Sequence, residues 1–157
     1  MKFESNKSSV FTQITTGMIH KLERIGELVL GDAVILAPVD LGFLRGQGSY
    51  RVVEDGVRIA FNAEYAAIQE FGGEIKPVHK KNLAIPIDDS AKHKSPGEFN
   101  NLFIIVAKEH LYLAMDQPNG EPRFMFLLVK RVYMPAHPYL RPAVHENFNN
   151  ILRILAA

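Results

Sequence analysis

At the start of the chain, apolar positions recur at spacings of three and four: Phe11, Ile14, Met18, Leu22, Ile25, Val29, Ala33 and Leu36. That spacing predicts one long amphipathic α-helix with these residues on its buried face. Ser5, Asn6, Ser8 and Ser9 offer N-cap chemistry ahead of it. At 1.5 Å per residue the helix reaches roughly 40 Å, more than one small sheet covers, so part of it is expected to meet another subunit. Gly17, Gly26 and Gly31 interrupt the pattern and mark a bend or a close approach. Pro38 stops the helix, because proline lacks an N–H and disfavours helical geometry in the residue before it. Asp40 and Gly42 then supply a short side chain that bonds nearby backbone and a residue free to take positive φ. The stretch 37–45 is a corner that sets the angle between helix and sheet.

Beyond the corner the pattern changes to that of strands. Residues 48–54 and 57–62 flank Asp55-Gly56, a dipeptide suited to a hairpin turn. Phe61, Tyr65, Ile68 and Phe71 fall at helical spacing ahead of Gly72-Gly73, which predicts a short helix and its stop. Residues 83–87 read as a brief strand that Pro86 confines to an edge or an end. Residues 88–101 are polar with almost nothing to bury and are expected to form a mobile surface loop. Residues 102–107, 111–115 and 123–133 read as a meander of strands. Pro138 to Pro142 opens a last helix whose buried face is expected to be Val144, Phe148, Ile151, Leu152 and Leu155. The fold class is therefore α+β: a long N-terminal helix and a C-terminal helix on a mainly antiparallel sheet, with one short middle helix.

Composition narrows this picture in a few places. The 157 residues suit a single domain spanning 1–157, and 47% apolar with 22% charged residues is the balance of a chain that folds. A formal net charge of +1 sets up no protein-wide field toward nucleic acid. The absence of cysteine excludes disulfides, thiolate catalysis and cysteine-ligated metal centres. Charged residues through the first thirty positions, Lys7 and Arg24 among them, leave no signal-like or membrane-spanning run, so no membrane partner is expected and the chain should stay in the cytoplasm where it is made.

Candidate chemistry is sparse. The six histidines, 20, 79, 93, 110, 137 and 145, do not show the one-turn pair or close cluster of a zinc site, and neither metal nor cofactor is expected. Asp88 with Asp89 and Glu64 with Glu70 are poorly placed as acid–base pairs, and no serine sits in a G-x-S-x-G elbow. No enzymatic activity is expected. Two basic segments, 76–81 and 92–94, make a nucleic-acid-binding protein the alternative reading, by phosphate contact.

Three separated segments stand out together: Ala37-Pro38-Val39-Asp40-Leu41-Gly42-Phe43-Leu44-Arg45, Tyr65-Ala66-Ala67-Ile68-Gln69-Glu70-Phe71-Gly72, and Pro135-Ala136-His137-Pro138-Tyr139-Leu140-Arg141-Pro142-Ala143. In that order, after a long amphipathic helix, they resemble the small neck or tail-completion proteins of long-tailed bacteriophages and prophages. The resemblance covers most of the chain. It implies a non-enzymatic virion component of the neck or tail, resident in the host cytoplasm during assembly. Such a component joins tail to head, as part of a homo-oligomeric ring, with tail-tube, terminator and head-connector proteins as partners and only incidental contact with DNA. Leu41 stands where the family often has a small hydroxyl residue, and His137 where arginine is common. The structural or interface residues it points to are Pro38, Asp40, Gly42, Leu44, Arg45, Tyr65, Glu70, Phe71, Gly72, His137, Pro138, Tyr139, Leu140, Arg141 and Pro142. Arg45 and Arg141 carry planar forks suited to carboxylates, and Glu70 is a partner for either, across a subunit boundary or within one fold.

Overall fold

A computed structural model describes residues 7–118 and 120–157, and the side chains from Thr15 onward. Ser5 and Asn6, two of the expected caps, and the side chains of Phe11 and Ile14 lie outside that description; Ser8 and Ser9 fall inside the first helix. The architecture is α+β, and the chain divides into two compact units. The first runs up to Gly72 and resumes at Pro135–Ala157, and the second, Gly73–Met134, interrupts it.

In the first unit, α1 (Lys7–Leu36) carries a buried ridge of Ile25, Val29 and Ala33 at a strict spacing of four. The ridge continues into Ala37, and the expected Leu36 is left exposed together with Ile35. Met18 and Ile19, earlier in the helix, are also exposed. The hairpin β1 (Gly48–Val53) and β2 (Gly56–Phe61) packs on α1. Its turn is Glu54-Asp55, one residue earlier than expected, because Gly56 already pairs with Val53.

Gly26 explains how closely helix and hairpin meet. A Cβ there would lie 2.3 Å from the Tyr50 ring, so the ring lies directly on the helix backbone. Gly48 does the same from the strand side, where a Cβ would lie 2.9 Å from both Leu30 and the Phe61 ring. Gly17 and Gly31 meet nothing within 4 Å and serve no such packing.

The chain then turns at Gly42, with φ of 77°, into the short α2 (Phe43–Gly46), and after the hairpin reaches α3 (Ala66–Phe71). The expected helical stripe is reversed in α3: Phe61 belongs to β2, Tyr65 and Phe71 are exposed, and Ala66, Gln69 and Glu70 are buried. Gly72, with φ of 67°, ends the helix and donates its N–H to the Ile68 carbonyl at 2.8 Å. The last helix is two, α4 (Leu140–Glu146) and α5 (Phe148–Ala156), broken at the buried Asn147. Asn147 Nδ2 donates to Asp32 on α1 and to the Ala143 carbonyl, and this polar bolt fixes the rotation of both segments. As a result Leu140, Ala143, Ile151 and Ile154 face the core, while the expected Val144, Phe148, Leu152 and Leu155 are outside.

The second unit is bounded by β3 (Gly73–Ile75) and a late strand, β8 (Val132–Met134), which pair antiparallel. Its main body is a four-stranded antiparallel sheet in the order β4-β7-β6-β5, formed by β4 (Leu83–Pro86), β5 (Phe103–Ala107), β6 (His110–Asp116) and β7 (Pro122–Val129). The expected run 123–133 is split at Lys130-Arg131 into β7 and β8. Pro86 closes the edge strand β4, as its missing N–H requires.

The segment 88–101, expected to be a surface loop with almost nothing to bury, carries local structure and a small apolar anchor. It holds 3₁₀ turns at Asp89–Ala91 and Pro96–Glu98. Ala91 is fully buried beside Met125 and Phe126, and the Phe99 ring meets Phe126 edge-on at 5.7 Å. Two small apolar contacts suffice because the polar residues bond one another. Asp88 accepts from Ser90 and takes the Arg123 guanidinium on both oxygens at 2.7 Å, and the Glu98 carboxylate accepts the Ser95 N–H at 2.6 Å. The Arg123 fork holds the Asp88 carboxyl well below the usual carboxylate range.

Candidate functional site

All three segments of the resemblance lie in the first unit, and they share one core. Ala37 and Leu44 from the corner, Ala66 from α3, and Tyr139 and Ala143 from the last segment are buried together. The Tyr139 ring meets Phe61 edge-on at 4.8 Å.

Glu70 joins the second segment to the third. Its side chain is buried, yet Oε2 accepts the backbone N–H groups of Tyr139 at 2.7 Å and Leu140 at 3.0 Å. Oε1 accepts the Arg141 N–H and the Arg141 Nε–H, both at 3.0 Å. The Arg141 Nη2 donates to the Glu70 carbonyl at 3.0 Å, and the guanidinium lies over the Phe71 ring at 4.9 Å. A carboxylate thus fills the place of an N-cap for α4 from a helix far away in sequence, meeting N–H groups that have no partner within their own helix. Burial by itself pushes the Glu70 carboxyl up, but the three backbone N–H groups and the guanidinium outweigh it and hold the carboxyl below its ordinary value. Pro142 sits in the first turn of α4, where its missing N–H costs nothing. His137 contributes through its backbone, donating its N–H to the Gln69 carbonyl at 2.8 Å; its side chain is exposed, as is Pro138.

Arg45 is not a partner of Glu70. Its Nε donates to the Ala37 carbonyl at 3.0 Å and its Nη2 to the Ile35 carbonyl at 2.8 Å. Both carbonyls lie at the end of α1, where a cation also meets the negative end of the helix dipole. Arg45 therefore closes the corner on itself and fixes where α1 ends, with Leu44 buried beside it as the anchor.

What these braces hold in place is an apolar surface. Val39, Leu41 and Phe43 project from the corner, Leu41 with 75% of its surface exposed, and the Phe43 ring lies 6.3 Å from the exposed Tyr65 just before α3. Together these side chains make a small exposed apolar patch at the corner. A cleft of about 600 Å³ between α1 and α5 is lined by Arg24, Glu27, Leu28, Asn150, Arg153 and Ile154. Among the described residues, no three histidine, aspartate or glutamate side chains cluster as metal ligands.

The basic segments belong to the second unit. Lys76 pairs with Glu74 at 2.7 Å and Lys92 with Asp89 at 2.7 Å, while His79, Lys80 and Lys81 are exposed. Among the described residues, no helix is long and apolar enough to cross a membrane. No protein-family model, curated protein or solved structure matches the chain.

Proposed function

We propose that this chain is a non-enzymatic structural component of a long-tailed phage particle, acting in tail completion or head–tail joining. The observation that supports the reading is the convergence of the three motif segments. Far apart in sequence, they share one core, their polar side chains Arg45, Glu70 and Arg141 brace backbone, and the residues left over form an exposed apolar corner. A surface held this rigidly suits docking, since little side-chain or backbone freedom is lost on contact.

In this reading, copies close a ring at the boundary between tail and connector. Val39, Leu41 and Phe43 are the surface offered to neighbouring copies or to tail-tube, terminator or connector subunits. The chain works by shape and burial, without cofactor or turnover. Mixing the purified chain with purified tails and imaging them tests this. A ring of added density at the head-proximal end of the tail is expected, and bare tails at saturating protein would overturn the reading.

Contact with DNA is the lesser reading. Lys80 and Lys81 are exposed, but the ion pairs of Lys76 and Lys92 neutralise part of the charge around them. Retention on DNA that weakens steeply with salt would favour it.

A further inference from the structure

The two edges of the four-stranded sheet are unlike. At one edge, β4 is short and ends in Pro86, a common guard against strand addition. At the other, β5 is Phe103-Ile104-Ile105-Val106-Ala107, without a charge, a proline or a glycine. Ile104 and Val106 are 66% and 70% exposed. An apolar edge of this kind invites another strand unless something covers it.

The hairpin geometry says which backbone groups are free to receive one. Lys108 and Glu109 form the two-residue turn between β5 and β6, with φ of 48° and 66°, the positive pair that marks a type I′ turn. In such a hairpin the flanking residues, Ala107 and His110, are a hydrogen-bonded pair. The alternation of an antiparallel ladder then directs the backbone groups of Phe103, Ile105 and Ala107 toward β6. The N–H and C=O groups of Ile104 and Val106 point away from the sheet. Among the described residues, no other strand lies on that side.

We infer that β5 is a self-association edge, pairing antiparallel with β5 of a second copy about a two-fold axis through Ile105. The register follows from the outward groups. Ile104 opposite Val106 of the second copy, and the converse, are both hydrogen-bonded pairs, so all four free groups of each strand are satisfied. Phe103 falls opposite Ala107, large against small, and Ile104 opposite Val106. Lys108 and Glu109 turn away into β6 after Ala107, and within the paired strands no charged residue faces another. This fit to itself is the reason a second copy is the occupant. The contact uses the second unit alone and does not depend on the phage reading.

The chain has no cysteine, so single cysteines report the contact cleanly. Across the two-fold, Ile105 faces its own counterpart as a non-hydrogen-bonded pair with Cα atoms about 4.5 Å apart, within disulfide reach. Ile104 lies two positions out of register with its own counterpart and is beyond that reach. Under mild oxidation Ile105→Cys is expected to give a covalent dimer and Ile104→Cys to stay unlinked. Independently, the full chain should approach twice its monomer mass by light scattering as concentration rises to about 1 mM. The exposed-site variant Val106→Lys, with unchanged circular dichroism, should hold the mass at the monomer. A monomeric mass throughout, a dimer that survives Val106→Lys, or cross-linking by Ile104→Cys in place of Ile105→Cys would each overturn the inference.

Discussion

The Glu70 carboxylate accepts the Tyr139 N–H at 2.7 Å, across 69 positions of sequence, and so holds the start of α4 on the end of α3. Because it also takes the N–H groups of Leu140 and Arg141, the Arg141 side chain is only one of its four donors. Glu70→Gln removes the charge and turns an amide N–H₂ toward backbone donors, and is expected to cost about 2–4 kcal/mol. Arg141→Ala leaves three donors in place and should cost less, about 1–2 kcal/mol. Denaturant unfolding of both variants checks the order. The charge-swapped pair, Glu70→Arg with Arg141→Glu, should not recover stability, because an arginine cannot accept the backbone N–H groups.

The same carboxylate sets a pH dependence. Its folded pKa lies below the ordinary 4.5, so the unfolded chain binds the proton first. The stabilisation is full above about pH 5 and is lost as pH falls below 4.5 through the folded pKa. The stability gap between the natural chain and Glu70→Gln should therefore shrink over that range. Using the difference removes the parallel contributions of Asp88 and Glu74, whose carboxyls are also held low. A gap constant from pH 6 to pH 3 would contradict the assignment.

Two glycines in one helix should respond oppositely. Gly26→Ala drives a Cβ into the Tyr50 ring and is expected to destabilise by about 1–3 kcal/mol. Gly17→Ala meets open space and should stabilise by up to about 1 kcal/mol through helix propensity alone. Thermal unfolding midpoints of the two variants separate these outcomes.

The rotation of the last helix is tested by truncating each face. Ile154→Ala should cost about 2 kcal/mol or more, as for a core position, whereas Phe148→Ser, at a site 58% exposed, should stay within about 0.5 kcal/mol. Asn147→Leu, which removes the bond to Asp32, should loosen this distinction.

The fold class, the stop at Pro38, the edge placement of Pro86 and most strands were legible because each rests on local spacing or on a residue with fixed backbone demands. The rotation of the last helix was not, because Asn147 reads as polar surface until Asp32 is known to face it. The stripe of α3 was misread for the same reason: Phe71 is apolar yet lies outside under the Arg141 guanidinium, and Glu70 is charged yet buried by donors that arrive from residues 139–141. The division into two units left no compositional trace, since the inserted residues 73–134 are as apolar as the rest and enter and leave through paired strands. Glu70 with an arginine was foreseeable from charge, but the choice of Arg141 over Arg45 was not. That choice depends on the α1 carbonyls that occupy Arg45.

The central claim is that the exposed corner joins parts of a virion, and its most direct test is a particle count. Deleting the coding sequence from the genome that carries it, then supplying either the natural chain or Leu41→Asp, allows heads and tails to be scored by electron microscopy. The account predicts unjoined heads and tails in the deletion, restored particles with the natural chain, and unjoined parts again with Leu41→Asp, although that variant folds. Normal infectious particles from the deletion would contradict it.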